Sequence, residues 1–160
     1  QTVRAFPRLT LLENVVVGAF GQHARNETAI LAARGALEKV GLTGAAQLMA
    51  SSLTNHELRL MELARALASN PKLILMDESF AGLASEDIDQ MMPVILSLRR
   101  SGTTIVIIEH TMQAMVRLVD RLIVMDQGSI IAEGPPEDVV KNPAVISAYL
   151  GKKWVDNAQT

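Results

Sequence analysis

Leu73-Ile74-Leu75-Met76-Asp77-Glu78 is an apolar run that stops at two adjacent carboxylates. Consecutive apolar residues of this length predict a strand buried on both faces, as in a parallel α/β sheet. In open sheets of that kind, ligands sit beyond the carboxyl ends of the strands. Asp77 and Glu78 are therefore expected where a phosphate-bearing ligand and its cation are handled. The two acids suit different tasks. One can hold Mg²⁺, often through water, and the other can orient or deprotonate a water that attacks phosphate. Taken alone, the hexapeptide equally fits a strand that ends in a solvated acidic turn.

The flanking sequence narrows this choice. A second buried strand is predicted at Thr104-Ile105-Val106-Ile107-Ile108, ending at Glu109-His110. Upstream, Thr54 and Glu57 have the spacing of a capping box and open a helix that runs to about Ser69, with Asn70-Pro71-Lys72 leading into the first strand. Leu11 to Phe20 and Glu27 to Val40 read as helices closed by Gly21 and Gly41, and a short helix is expected over Ala45 to Ala50. Ser85 is expected to cap a helix with Glu86 and Asp87 in its first turn and Arg99-Arg100 in its last, as the helix dipole favours. Pro93 should kink that helix. A helix near Thr111 to Val119 follows. Strands at Leu122 to Met125 and Ser129 to Glu133 flank the turn Asp126-Gln127-Gly128, and Pro135-Pro136 opens a last helical stretch. The tail after Gly151 reads as disordered.

Composition excludes several classes. The 160 residues are 49% hydrophobic and 20% charged, which is ordinary for a globular chain. A net charge of −2 leaves no electrostatic footprint for nucleic acid, and no Lys/Arg run marks a membrane-surface patch. Without cysteine there are no disulfides and no thiolate metal sites. His23 and His56 lack a third ligand at useful spacing. No apolar stretch approaches the ~18 residues that span a bilayer, so a membrane link is expected to come through a partner. No signal peptide opens the chain, and Gln1-Thr2 in place of an initiator Met is expected of a segment of a longer protein.

Arg65-Ala66-Leu67, then Leu73 to Glu78, then Glu109-His110 resembles, in order and spacing, the C-terminal part of an ATP-binding cassette, the nucleotide-binding subunit of ABC transporters. The resemblance implies an α/β, partial P-loop NTPase fold: a helical subdomain plus the second half of the parallel-sheet catalytic core. It divides the chain into a Q-loop segment (1–8), a helical subdomain with the signature region (9–69), a catalytic-core part with Walker B, D-loop and switch histidine (70–134), and a C-terminal helical extension and tail (135–160). It implies ATP and Mg²⁺ as cofactors, Glu78 and His110 as catalytic residues, and Asp77 and Gln1 at the metal. Gln1, followed by Leu11-Leu12-Glu13-Asn14-Val15, matches the Q-loop glutamine, whose carboxamide binds metal or water without adding charge. His110 matches the switch histidine, which can donate to a γ-phosphate oxygen.

Leu53, Thr54, Asn55, His56 and Glu57 match the signature, usually Leu-Ser-Gly-Gly-Gln, which contacts nucleotide held by the opposite subunit through backbone N–H groups at a helix start. Here Asn55, His56 and Glu57 replace Gly, Gly and Gln. Either the site they serve is weak, or the side chains of Asn55 and His56 replace backbone contacts. Ser79 stands where proline is usual, and Leu83-Ala84-Ser85-Glu86 lacks the usual D-loop aspartate.

The 160 residues contain no Gly-rich P-loop with its Lys-Ser/Thr. In the family's sheet the P-loop strand lies between the strands matching Thr104–Ile108 and Leu122–Met125. Without it both are expected to expose edges, so that the chain alone binds ATP poorly, is inactive as an ATPase, and self-associates or rearranges.

Gly134-Pro135-Pro136-Glu137-Asp138 and Asn142 to Gly151 resemble the end of ATPase subunits of branched-chain amino acid importers. That group implies a transport ATPase on the cytoplasmic face of the inner or plasma membrane, peripheral through permease subunits and paired with a second, identical or different, ATPase subunit. The altered signature keeps open a degenerate regulatory subunit with little hydrolysis of its own. A cassette acting in DNA repair or translation would need a basic surface or long insertions, and neither occurs; no nucleic-acid partner is expected.

Overall fold

The computed structural model describes residues 4–23 and 25–150. Two compact units divide between Glu109 and His110.

The first unit begins with three helices: α1 (Leu11–Ala19), α2 (Asn26–Lys39) and α3 (Asn55–Leu67). The α1 helix opens with a capping box, Thr10 and Glu13 each bonding the other's backbone N–H. It packs on α2 and α3 through Leu11, Val15 and Ala19, against Ala29, Ala33 and Leu37 of α2 and Met61 and Ala64 of α3, all buried. Small residues at these positions let the helix axes approach closely. Gly18 is the extreme case: a Cβ there would lie 2.2 Å from the backbone oxygen of Arg65. Buried Asn14 pins the preceding loop to α1, accepting from the Phe6 N–H at 2.8 Å and donating to the carbonyls of Phe6, Leu9 and Thr10.

Residues 45–50 do not form the expected helix. Two 3₁₀ turns, Thr43–Ala45 and Ala50–Ser52, bracket them instead. The carbonyls of Ala46 and Leu48 accept from the N–H groups of Leu12 and Leu11, and Ala50 N–H donates to Leu9. The orphan donors of the first turn of α1 thus take the acceptors that a local helix would need.

Strands β1 (Leu73–Asp77) and β2 (Thr104–Ile108) pair in parallel, with Leu73 opposite Thr104 and Asp77 opposite Ile108. The sequence predicted burial on both faces, and the structure corrects this. Ile74 and Met76 are buried, but Leu73 and Leu75 are exposed, as are Val106 and Ile108. Side chains alternate across a strand, and this two-stranded sheet has one covered face among the described residues.

Between the strands runs α4 (Ser85–Arg100), burying Met91, Met92, Ile95 and Leu98. Its N-cap is Ala84, not Ser85, and no side chain caps it; Ser85 is already helical. The helix continues through Pro93, which is exposed, where a missing backbone bond costs least.

The second unit holds α5 (Met112–Leu118), an antiparallel hairpin of β3 (Leu122–Asp126) and β4 (Ser129–Gly134), then α6 (Pro136–Val139) and α7 (Pro143–Leu150). Gln127 and Gly128 at the hairpin turn both have positive φ, 47° and 81°, the type I′ geometry that matches strand twist. Leu122, Val124, Met115, Leu118, Val139 and Val145 form its core.

Candidate active site

The carboxyl end of β1 carries Asp77 on its exposed face and Glu78 one residue beyond. Glu78 has φ +47°, a left-handed conformation uncommon outside glycine. Two bonds hold it there: its N–H donates to the Ile108 carbonyl at 2.9 Å, extending the sheet ladder, and its carbonyl accepts from Ala81 at 3.1 Å, closing a turn. The strained backbone rotates the chain out of the strand directly after Asp77. Phe80 then buries its ring, and its N–H donates to Glu109 Oε1 at 2.7 Å. In the sequence, Glu109 stands out only as the neighbour of His110. The readable signal was two parallel strands each ending in an acid.

The start of α3 lies against the same turn. Thr54 is its N-cap in a full capping box: the Glu57 carboxylate accepts from Thr54 N–H at 2.8 Å, and Glu57 N–H donates to Thr54 Oγ1 at 3.2 Å. Glu57 therefore folds back on its own helix. Asn55 Nδ2 donates to the Gly82 carbonyl at 2.9 Å, and Arg59 Nη2 donates to the Ala81 carbonyl at 3.1 Å. His56 Nδ1 stands 3.8 Å from Asp87 Oδ1 on α4. Leu53 is buried. The signature-matching residues and the segment after Glu78 thus come together, and the side chains of Asn55 and His56 face groups of their own chain.

His110 is exposed and belongs to the second unit, where its carbonyl accepts from Met112 N–H at 3.1 Å. Gln1 lies outside the described residues. No group of three or more His, Asp or Glu that could hold a metal occurs among the described residues. Mg²⁺ is commonly held by one or two carboxylates and completed by substrate phosphates and water, so its site need not contain such a group. Asp77, exposed at the strand end beside Glu78, offers such a carboxylate. Of the ionisable groups, Glu13 has a pKa below its ordinary value, because the backbone and hydroxyl of Thr10 donate to its carboxylate.

Comparison with known proteins places the chain in a family. The family model described as ABC transporter matches residues 1–81, and that described as Branched-chain amino acid ATP-binding cassette transporter matches 129–154. A solved ATP-binding cassette of an ABC transporter in its ADP conformation superposes with a TM-score of 0.82 at 30% identity, over 91% of this chain and 64% of that one. A dimeric bacterial ABC transporter cassette superposes with a TM-score of 0.73 at 26% identity, over 85% and 60%. The chain belongs to the ABC transporter family and has the α/β P-loop NTPase fold of its ATP-binding cassettes.

Within the family its likeness is to cassettes of the branched-chain amino acid type. The high-affinity branched-chain amino acid transport ATP-binding protein LivG of Salmonella typhimurium is 34% identical over 95% of this chain. The chain spans 66% of the length of that relative. No helix among the described residues is long and apolar enough to cross a membrane.

Proposed function

We propose that this chain is part of the ATP-binding and hydrolysing subunit of an ABC importer for branched-chain amino acids or similar small solutes. The observation that carries the reading is the Asp77–Glu78 pair at the carboxyl end of a parallel strand, with Glu78 held at positive φ. In this reading Glu78 accepts a proton from the attacking water and orients it, and Asp77 holds Mg²⁺ with Gln1. His110 donates to the γ-phosphate, and residues 53–57 face nucleotide bound by a second subunit. Mg²⁺, when bound, neutralises charge that develops on the phosphates. The dimeric cassette supports pairing with a second ATPase subunit, and the name of LivG supports a role in transport. Work alongside permease subunits at the cytoplasmic membrane face belongs to the same proposal. The domain reading goes with it: Q-loop segment 1–8, helical subdomain 9–69, core part 70–134 and extension 135–160.

One observation favours a second reading, a subunit that regulates with little hydrolysis of its own. Glu57 is engaged in its capping box and Asn55 on Gly82, so neither side chain is poised toward an external phosphate. Cells lacking the full-length protein test both readings. The first expects uptake of leucine, isoleucine and valine to fall and to return with the wild type but not with Glu78→Gln. The second expects Glu78→Gln to restore uptake fully.

A further inference from the structure

Helix α3 bonds to two segments far apart in sequence. Arg59, almost fully buried, donates through Nη2 to the Ala81 carbonyl at 3.1 Å and through Nη1 to Glu62 Oε2 at 3.2 Å. The other oxygen of Glu62 accepts the backbone N–H of Arg4 at 3.3 Å. Arg65, one turn further on, donates through Nη1 to the Arg4 carbonyl at 2.9 Å and stacks its guanidinium over the Phe6 ring, 5.9 Å from the centroid. An unbroken chain of hydrogen bonds therefore runs from the turn after Glu78 to the segment just after Gln1. Its walls include Leu63, Ile74, Met76 and Met91, which border a cavity of about 110 Å³ with Arg59 and Glu62. The two Arg59 bonds are part-buried, where a lower local dielectric strengthens them, whereas those to Arg4 are exposed.

We propose that Arg59 and Glu62 form a positioning relay that makes residues 4–6 and residues 80–83 shift together. The chemistry suits this. A planar guanidinium can hold a carbonyl and a carboxylate at once, and a carboxylate has two oxygens to accept from opposite sides. Neither side chain touches substrate in this arrangement. Each acts through backbone, and a shift at one segment pulls on the other through a charged pair. The catalytic consequence rests on the function proposed above: the Gln1 and Glu78 segments are then set jointly.

Hydrogen exchange on the full-length protein without nucleotide measures this coupling directly. Arg59→Lys keeps the charge but loses the fork, and Glu62→Gln keeps the shape but loses one acceptor. The relay predicts that Arg59→Lys raises exchange at residues 80–83 and also at 4–6, which Arg59 reaches through Glu62 among the described bonds. Glu62→Gln raises both as well, and the double variant exceeds neither single one. The ATPase kcat of each variant should fall on the order of 2–30-fold, the range for residues that modulate coupling, with KM for ATP changed by less. Loosening of 80–83 alone by Arg59→Lys, or additive effects in the double variant, would overturn the proposal. Should Arg59→Lys unfold the protein, the two-segment response to Glu62→Gln decides. The exchange readout stands whether or not the wild type hydrolyses ATP; a wild type without turnover counts against the proposed function, not against the relay.

Discussion

The carboxylate of Glu109 accepts the backbone N–H of Phe80 at 2.7 Å, tying the end of β2 to the turn that follows Glu78. With the Glu78 N–H on the Ile108 carbonyl, it gives the turn two anchors on the neighbouring strand. A left-handed glutamate backbone persists where its surroundings over-determine it, and these anchors do so.

Glu109→Ala should therefore lower stability by about 1–3 kcal/mol, the cost of stranding a partly buried donor. Glu109→Gln retains an acceptor and should cost less. Urea denaturation of both variants checks the ranking, and equal losses would assign the effect to charge and not to the Phe80 bond.

Two glycines separate packing from propensity. Gly18→Ala drives a Cβ into the Arg65 backbone and should destabilise by about 1–3 kcal/mol through overpacking between α1 and α3. Gly35→Ala, inside α2 with nothing within 4 Å of the added carbon, should stabilise by about 0.5–1 kcal/mol. Thermal melts of the pair should move in opposite directions.

What the sequence revealed is mostly local. The Thr54–Glu57 box, the Gln127-Gly128 turn and the strand ending in Asp77 depend on spacings of a few residues, and all three were readable. The 43–52 segment was not, because its carbonyls are taken by the first turn of α1, more than thirty residues earlier in the chain. Strand burial differs from the sequence expectation for a related reason: an apolar run reports what a strand tolerates, and Leu75 is exposed among the described residues. In the site, the acids of β1 were legible, but the link from Asn55 to Gly82 and the roles of Arg59 and Glu109 were not. Each joins residues more than twenty positions apart.

Glu13 supplies a pH test. Its folded-state pKa is depressed below 4.5, so its contribution is present at neutral pH and is lost as pH falls through the folded value. Glu13→Gln keeps a capping oxygen without the charge. The stability gap between wild type and this variant should be open at pH 7 and close as pH falls from the ordinary carboxylate range through the lower folded-state pKa. A gap that widens on acidification would contradict the cap as the cause.

The open face of the β1–β2 sheet should make the 160-residue chain associate when produced alone. Leu75 is 72% and Ile108 62% exposed, on a sheet type ordinarily covered on both sides. Light scattering should show mass rising with concentration, and Leu75→Lys with Ile108→Lys should reduce it. A wild-type monomer at all concentrations would count against this.

The role of Glu78 is the centre of the functional account, and one measurement addresses it most directly: ATP affinity and turnover of Glu78→Gln in the full-length protein with its partner subunit. Binding by calorimetry should match the wild type, while turnover should fall about 10²–10⁴-fold, as expected for loss of a general base. Turnover within a few-fold of the wild type would contradict the assignment of Glu78 to the attacking water.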